Sequence, residues 1–248
     1  MLKIPQYLSL IWARYLNEKN TMAREQVSTS MDLCQLRSLR LIVGFQPDFH
    51  SRLLPGHHTK IMGWGRKLSG KRAVSIAADN KIDFILLEDG FLRSLDRLDE
   101  TLSLVFDNQG IYYDANSPSQ IENHIAQQLS AGEASRASEI IKKWRTLRLS
   151  KYNSAPEYPG GLPEHYVLVL DQVAGDASIG YGLADQSSFD RMLRCALSEN
   201  PEAMVLVKVH PDVFTRAKKG HFDIDALQSM DRVRIIAENC HPVRGKGQ

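Results

Sequence analysis

The sequence predicts an α/β protein made of two successive units, each with a mostly parallel sheet. Three observations carry that expectation. From residue 39 onward, short β-rich runs alternate with segments of helical period, the order of strands joined by crossover helices. A stretch at 154–163 with three prolines and two adjacent glycines then breaks the alternation, because no helix continues through it. Beyond it, the same strand and helix order starts again.

In the first unit, candidate strands lie at 41–45, 61–64, 84–87 and 102–106. Residues 70–80 read as a helix with Ala73, Ile76 and Ala77 on one face. Ser117 is the expected N-cap, with Pro118 at the first helical position, for a helix running to about residue 129. A further helix covers 133–149. The second unit reads as strand 166–170, helix 187–198, strand 205–209, a basic connection around Lys218, and strand 233–236.

Ahead of these units, residues 8–16 form a short apolar and aromatic stretch between Lys3 and Lys19, expected to be a helix, and 20–32 is a polar linker. The expected organisation is therefore a helix and linker at 1–38, a first domain at 39–153, a linker at 154–163, and a second domain at 164–248. Three strands are few for a parallel sheet that needs both faces covered. The second domain is accordingly expected to be incomplete, with the chain cut short inside it.

Composition narrows the function classes. With 43% hydrophobic residues, 248 residues can bury a sizeable core. A net charge of +2, with both signs interleaved, offers no basic face for a phosphate backbone, so no nucleic-acid partner is expected. Cys34, Cys195 and Cys240 are far apart and form no CxxC pair, which argues against a disulfide scaffold or a zinc knuckle and fits a reducing cytoplasm. No apolar run approaches the roughly 20 residues of a membrane span. The 8–16 stretch lacks a signal-peptide cleavage site, and a basic amphipathic helix there would allow peripheral contact with the inner membrane.

Ligands of open α/β sheets bind beyond the carboxyl ends of the strands. Three polar clusters fall there. One is Glu88-Asp89-Gly90, continuing through Arg93 and Ser94; the second is Gln172, Asp176 and Ser178; the third is Lys208 with His210-Pro211. Each has a plain alternative: Glu88 and Asp89 solvating a turn, Asp176 and Ser178 capping a helix. Pro211 fixes the direction of the chain at His210, which makes that histidine the most informative of the set. No phosphate loop, third glycine after Gly180-Tyr181-Gly182, nucleophile elbow or metal-ligand spacing is present. His57 and His58 are adjacent and diverge, so no metal cofactor is expected.

Five runs in order carry a family likeness. They are residues 63–67 (GWGRK), 88–94 (EDGFLRS), 102–107 with 110–115 (GIYYDA), 171–178 (DQVAGDAS) and 207–213 (VKVHPDV). Together they resemble the capsule polysaccharide β-Kdo transferases over roughly residues 41–242. The resemblance implies a two-domain GT-B-like scaffold of Rossmann-like units. It also implies retaining transfer of 3-deoxy-D-manno-octulosonic acid (Kdo) from CMP-Kdo to a lipid-linked glycolipid acceptor, without cofactor.

On the matching motifs, Asp176 would be the nucleophile, Glu88 with Asp89 the acid/base element, and His210 a contact to the CMP phosphate. The donor carries a carboxylate and a phosphate, which makes Arg93 and Lys208, and after them Arg66, the cations expected to line the cleft. Gln172, Ser178 and Pro211 complete the donor side. Capsule assembly and export proteins at the inner membrane are the further partners implied. After residue 242 the tail VRGKGQ departs from the family's pattern, which fits the expectation of a shortened chain. Two other readings stand beside this one: a non-catalytic accessory or remnant domain, and another CMP-sugar transferase of sialyltransferase-like kind.

Overall fold

A computed structural model describes residues 26–50, 58–96 and 98–240. It is a mixed α/β structure with two separate sheets. The first contains β1 (Gln26–Ser28), β2 (Asp48–Phe49), β3 (Lys60–Trp64), β4 (Asp83–Asp89) and β5 (Leu104–Asp107) in the order β2-β1-β3-β4-β5. Four strands run parallel and β5 returns antiparallel to β4, the mostly parallel sheet that the sequence pattern implied.

The centre of that sheet is buried on both faces, the condition a parallel sheet requires. On one side, Val27 and Ile61 pack against Ala73 and Ala77 of the helix α3 (Leu68–Asn80). On the other, Met62 and Leu87 pack against Leu33 and Leu39, carried by the short helices α1 (Met31–Gln35) and α2 (Arg37–Val43). Ile61 and Met62 are neighbours in β3 yet face opposite cores, because strand side chains alternate.

Two sequence expectations change here. Residues 41–45 are not a strand: α2 occupies them up to Gly44, whose left-handed φ of +82° ends the helix. Helical packing sends Leu39 inward while leaving Leu41 86% exposed, a split that an apolar run does not show in sequence. The strand that belongs in this place is β1, inside the segment expected to be a linker; Val27 and Ser28 are 1% and 0% exposed. A three-residue strand with one apolar side chain is too short to register as a periodic signal. The expected helix at 8–16 and the tail after residue 240 lie outside the described residues.

Past β5 come α4 (Gln120–Ala126) and α5 (Ala131–Thr146). The N-cap of α4 is Ser119 and not Ser117, because Ser119 and Glu122 close a capping box in which each side chain binds the other's backbone N–H. Ser117 instead accepts from the Arg66 guanidinium at 2.9 Å.

Residues 154–163 have no regular structure and lead into the second sheet, β6 (Tyr166–Leu170), β7 (Met204–Lys208) and β8 (Val233–Ile236), all parallel in that order. Val169, Val205 and Val207 meet Phe189, Leu193 and Ala196 of α7 (Gln186–Glu199). The short helices α6 (Ala177–Tyr181), α8 (Pro211–Phe214) and α9 (Ile224–Gln228) complete this unit. No helix among the described residues is long and apolar enough to cross a membrane.

Candidate functional site

At the end of β4 the chain leaves the core, with Leu86 and Leu87 fully buried and Glu88 and Asp89 at the rim. Asp107, 1% exposed at the end of β5, shapes the loop beside them. Its Oδ1 accepts the N–H groups of Gln109 and Gly110, both at 2.9 Å, and its Oδ2 accepts that of Gln120 at 2.9 Å. The loop so folded delivers Tyr112, Tyr113 and Asp114. The Tyr113 hydroxyl donates to Glu88 Oε1 at 2.9 Å and accepts the Arg66 backbone N–H at 2.8 Å.

Only glycine fits beside this contact. Gly65 has φ of +38°, and a Cβ there would stand 2.0 Å from Glu88 Oε1 and 2.4 Å from the Tyr113 hydroxyl. Next to it, Arg66 Nε meets Asp114 Oδ2 at 2.5 Å, with the Asp114 side chain 3% exposed. Burial alone would push the Asp114 carboxyl up; hydrogen bonds from Asn116 and the Arg66 charge outweigh it and hold the group below the usual carboxylate range. Glu88 goes the other way. Burial pushes its pKa up, and the Tyr113 bond and the nearby Lys67 charge only partly offset that.

Asp89 is held differently, by Arg93 Nε at 3.1 Å and Lys151 Nζ at 3.7 Å. Arg93 also donates to the Asp99 carbonyl at 2.8 Å and to Ser94 Oγ at 3.0 Å, and its guanidinium lies 5.6 Å from the Tyr152 ring centre. Its charge is thus committed to the protein.

In the second unit, Asp176 is exposed and caps α6: its Oδ1 accepts the Ser178 N–H at 2.9 Å and the Ser178 hydroxyl at 2.7 Å. The Gln172 amide oxygen lies 3.4 Å from that hydroxyl. Asp171 ties this loop down, its Oδ1 accepting the N–H groups of Gln172 at 2.8 Å and His221 at 3.0 Å. His210 caps α8, and Pro211 occupies the first turn. Because His210 Nδ1 accepts the Asp212 N–H at 3.1 Å, its lone pair is in use and the ring proton of the neutral form sits on Nε2. Lys208 Nζ donates to the Glu238 carbonyl, and Lys218 pairs with Asp212 at 2.9 Å.

The two units meet through Tyr181, five residues beyond Asp176 in the sequence. Its carbonyl accepts the Ala115 N–H at 2.9 Å, while the Arg66 guanidinium and Lys71 Nζ stand 5.6 and 5.4 Å from its ring centre. As a result Tyr112 feels three carboxylates. Burial raises its pKa first, and the negative charges of Glu88, Asp89 and Asp176 raise it further. The charges of those three predicted residues all act on Tyr112, whereas the contacts of His210 lie within its own loop.

Sequence reasoning gave no role to Tyr112, Tyr113, Asp114, Asp171 or Tyr181. The first three fall in the GIYYDA run and Asp171 opens DQVAGDAS, but neither run shows which distant group each residue touches.

A family model described as "capsule polysaccharide biosynthesis protein" matches residues 59–154 and 142–244. The chain belongs to that family. Among solved structures, it resembles Thermosulfurimonas dismutans KpsC, a beta Kdo 2,4 transferase, with TM-score 0.78 and 32% identity over 90% of this chain and 71% of that one. The beta Kdo 2,7 transferase of the same KpsC, at 23% identity and TM-score 0.57, shares the fold.

Curated relatives in the family include the capsule polysaccharide modification protein LipA of Neisseria meningitidis serogroup B, 34% identical across 92% of this chain and 34% of LipA. The lipopolysaccharide-processing protein LpsZ of Rhizobium meliloti is 35% identical across 67% of this chain and 44% of LpsZ. The chain thus spans less than half the length of the curated relatives it matches.

Proposed function

We propose that this chain is a β-Kdo transferase module of GT-B-like architecture, acting in the cytoplasm at the inner membrane and moving Kdo from CMP-Kdo to a lipid-linked acceptor with retention of configuration. The observation that carries the proposal is the contact that Tyr181, five residues beyond Asp176, makes with Ala115 and Arg66 beside Glu88, in a chain that resembles a Kdo transferase. Retention needs two displacements. In the first, an Asp176 carboxylate oxygen bonds to the anomeric carbon of Kdo as the bond to CMP breaks, and CMP leaves with the electron pair. In the second, the acceptor hydroxyl attacks that carbon, its proton passes to Glu88, and the Asp176 ester bond breaks.

The structure supports these roles unequally. Raised by burial, Glu88 is a stronger base than an exposed glutamate and suits the proton step. His210 offers an Nε2–H donor whose direction is fixed by its cap, suited to the charge that grows on the departing phosphate. Asp176 Oδ1 is occupied by Ser178, which leaves Oδ2 for attack. Lys208, Gln172, Ser178 and Pro211 would shape the donor pocket, with the CMP moiety on the second unit.

A second reading, a binding module without transfer, is favoured by the exposure of Asp176 and its service as a helix cap. One experiment separates the two. The chain is incubated with CMP-Kdo and a Kdo-terminated synthetic glycolipid, product is followed by chromatography, and the protein is weighed intact for a covalent sugar adduct. Transfer that disappears in Asp176→Ala, with CMP binding retained, establishes the transferase. CMP-Kdo binding without turnover favours the binding module, and transfer within a few fold of the parent in Asp176→Ala removes Asp176 from the nucleophile role.

A further inference from the structure

The cations around the site divide into two groups. Arg66 is bound to Asp114, Arg93 and Lys151 to Asp89, Lys218 to Asp212, and Lys208 to a backbone carbonyl. On the first unit's side, Lys67 and Lys71 are both exposed, and neither pairs with a carboxylate among the described residues. Lys67 is the N-cap of α3 and Lys71 lies in its first turn, its N–H bonded to the Lys67 carbonyl at 3.0 Å, so the two stand one turn apart. Lys67 Nζ lies 5.4 Å from the Trp64 ring centre and Lys71 Nζ 5.4 Å from that of Tyr181.

Two aromatic faces, one from each unit, thus hold the two ammonium groups without neutralising them. Lys67 is also close enough to Glu88 for its charge to act on that carboxyl, so an anion held there would lie next to the group that handles the acceptor proton.

We propose that Lys67 and Lys71 form an anion subsite for the acceptor, taking a carboxylate or phosphate adjacent to the hydroxyl that is glycosylated. The inference rests on the transferase reading for the word acceptor, and on the lysine pair alone for the anion. It departs from the sequence expectation, in which Arg93 and Lys208 supplied the positive charge. Arg66 holds the loop that bears Asp114 and Ser117 in place, and the lysines next to it face the ligand.

The test uses the full chain and two fluorescent alkyl glycosides ending in one Kdo residue, one with a free carboxylate and the other its methyl ester. Affinity is read by fluorescence polarisation, with CMP titrated separately by calorimetry. The parent should prefer the acid to the ester, with the preference shrinking as salt rises. The double variant K67Q/K71Q should lose roughly five- to tenfold in affinity for the acid and nothing for the ester, the size expected of two partly screened ion pairs. CMP binding should be unchanged.

A phosphorylated alkyl glycoside without a carboxylate serves as a third probe; selective loss there assigns the subsite to the lipid-side phosphate, within the same proposal. Equal loss for acid and ester, no loss for either anion, no binding of any probe by the parent, or loss of CMP affinity instead, overturns it. The transferase reading fails separately: lysine-dependent binding of the acid in a chain that neither binds CMP nor turns over leaves the anion subsite standing and removes the enzyme.

Discussion

The two strand-end regions of this molecule hold their polar groups by different means. At the end of the first sheet, groups far apart in sequence are joined, Glu88 to Tyr113 and Arg66 to Asp114, in a partly buried setting. At the end of the second, the bonds of Asp176 and His210 are local and exposed or half-exposed, Asp176 to Ser178 and His210 to Asp212. Asp171, bonded to His221, and Lys208, bonded to the Glu238 carbonyl, reach further across that unit. The first region is fixed by tertiary packing before any ligand arrives. Helix caps orient the second, and it keeps more freedom to adjust to a ligand.

The sharpest way to break this comparison is at two left-handed glycines. Gly65→Ala would push a Cβ into Glu88 and Tyr113 at a strained φ, and should cost about 2–3 kcal/mol of stability. Gly175, with φ of +85°, has open space where the added methyl would go, with nothing within 4 Å of it, so Gly175→Ala should cost only about 1 kcal/mol. Urea denaturation measures both. Equal costs would mean that the first region is no more rigid than the second.

A smaller effect is expected from the acids. Asp114→Ala strands a largely buried Arg66 and should cost about 1–3 kcal/mol, against at most about 1 kcal/mol for Asp212→Ala in the more open Lys218 pair. Asp114 titrates below its ordinary value in the folded chain, so its contribution is present above the unfolded pKa of about 4 and disappears as pH falls through the folded one. The Asp114→Ala variant should lose that part of the acid sensitivity between about pH 5 and 2. An unchanged acid profile would show that the Arg66 pair is not what holds the loop.

Glu88 carries the opposite sign. Its folded pKa is raised, so the folded chain binds that proton more tightly, and stability drops as pH rises from the ordinary glutamate range of about 4.3 through the folded value. Glu88→Gln should therefore gain on the parent as pH rises above about 4.3 when the two melting profiles are compared. Tyr113→Phe removes the hydroxyl that stabilises the ionised form, and should move the Glu88 titration further upward when followed by carboxyl NMR.

The smallest change belongs to the second region. Ser178→Ala leaves the Asp176 cap its backbone partner and should cost no more than about 0.5 kcal/mol. A loss beyond about 2 kcal/mol would place that exposed cap in the same class as the first region.

Most elements and the polar strand ends were legible because they rest on local signals. The helices α3 and α7 and the strands β3, β6 and β8 announce themselves by period and by flanking turns, and Glu88, Asp176 and His210 by their place after apolar runs. Ser119 could have been read as well, since Glu122 follows at capping-box spacing. By contrast, β1 has one apolar residue to show, and the apolar run at 41–45 lacks the context that makes it a helix end.

The sequence by itself determined the α/β class, the order of the motifs and the identity of the acidic and histidine candidates, because each depends on residues a few positions apart. Tertiary structure decided which charges are spent and which remain. Arg66 and Lys67 are adjacent in sequence, yet Asp114 neutralises one while the other stands over Trp64 with no carboxylate partner among the described residues. That difference comes from Asp107 folding a loop more than 40 positions downstream against the end of β3, and an interaction at such range leaves no periodic trace in the sequence.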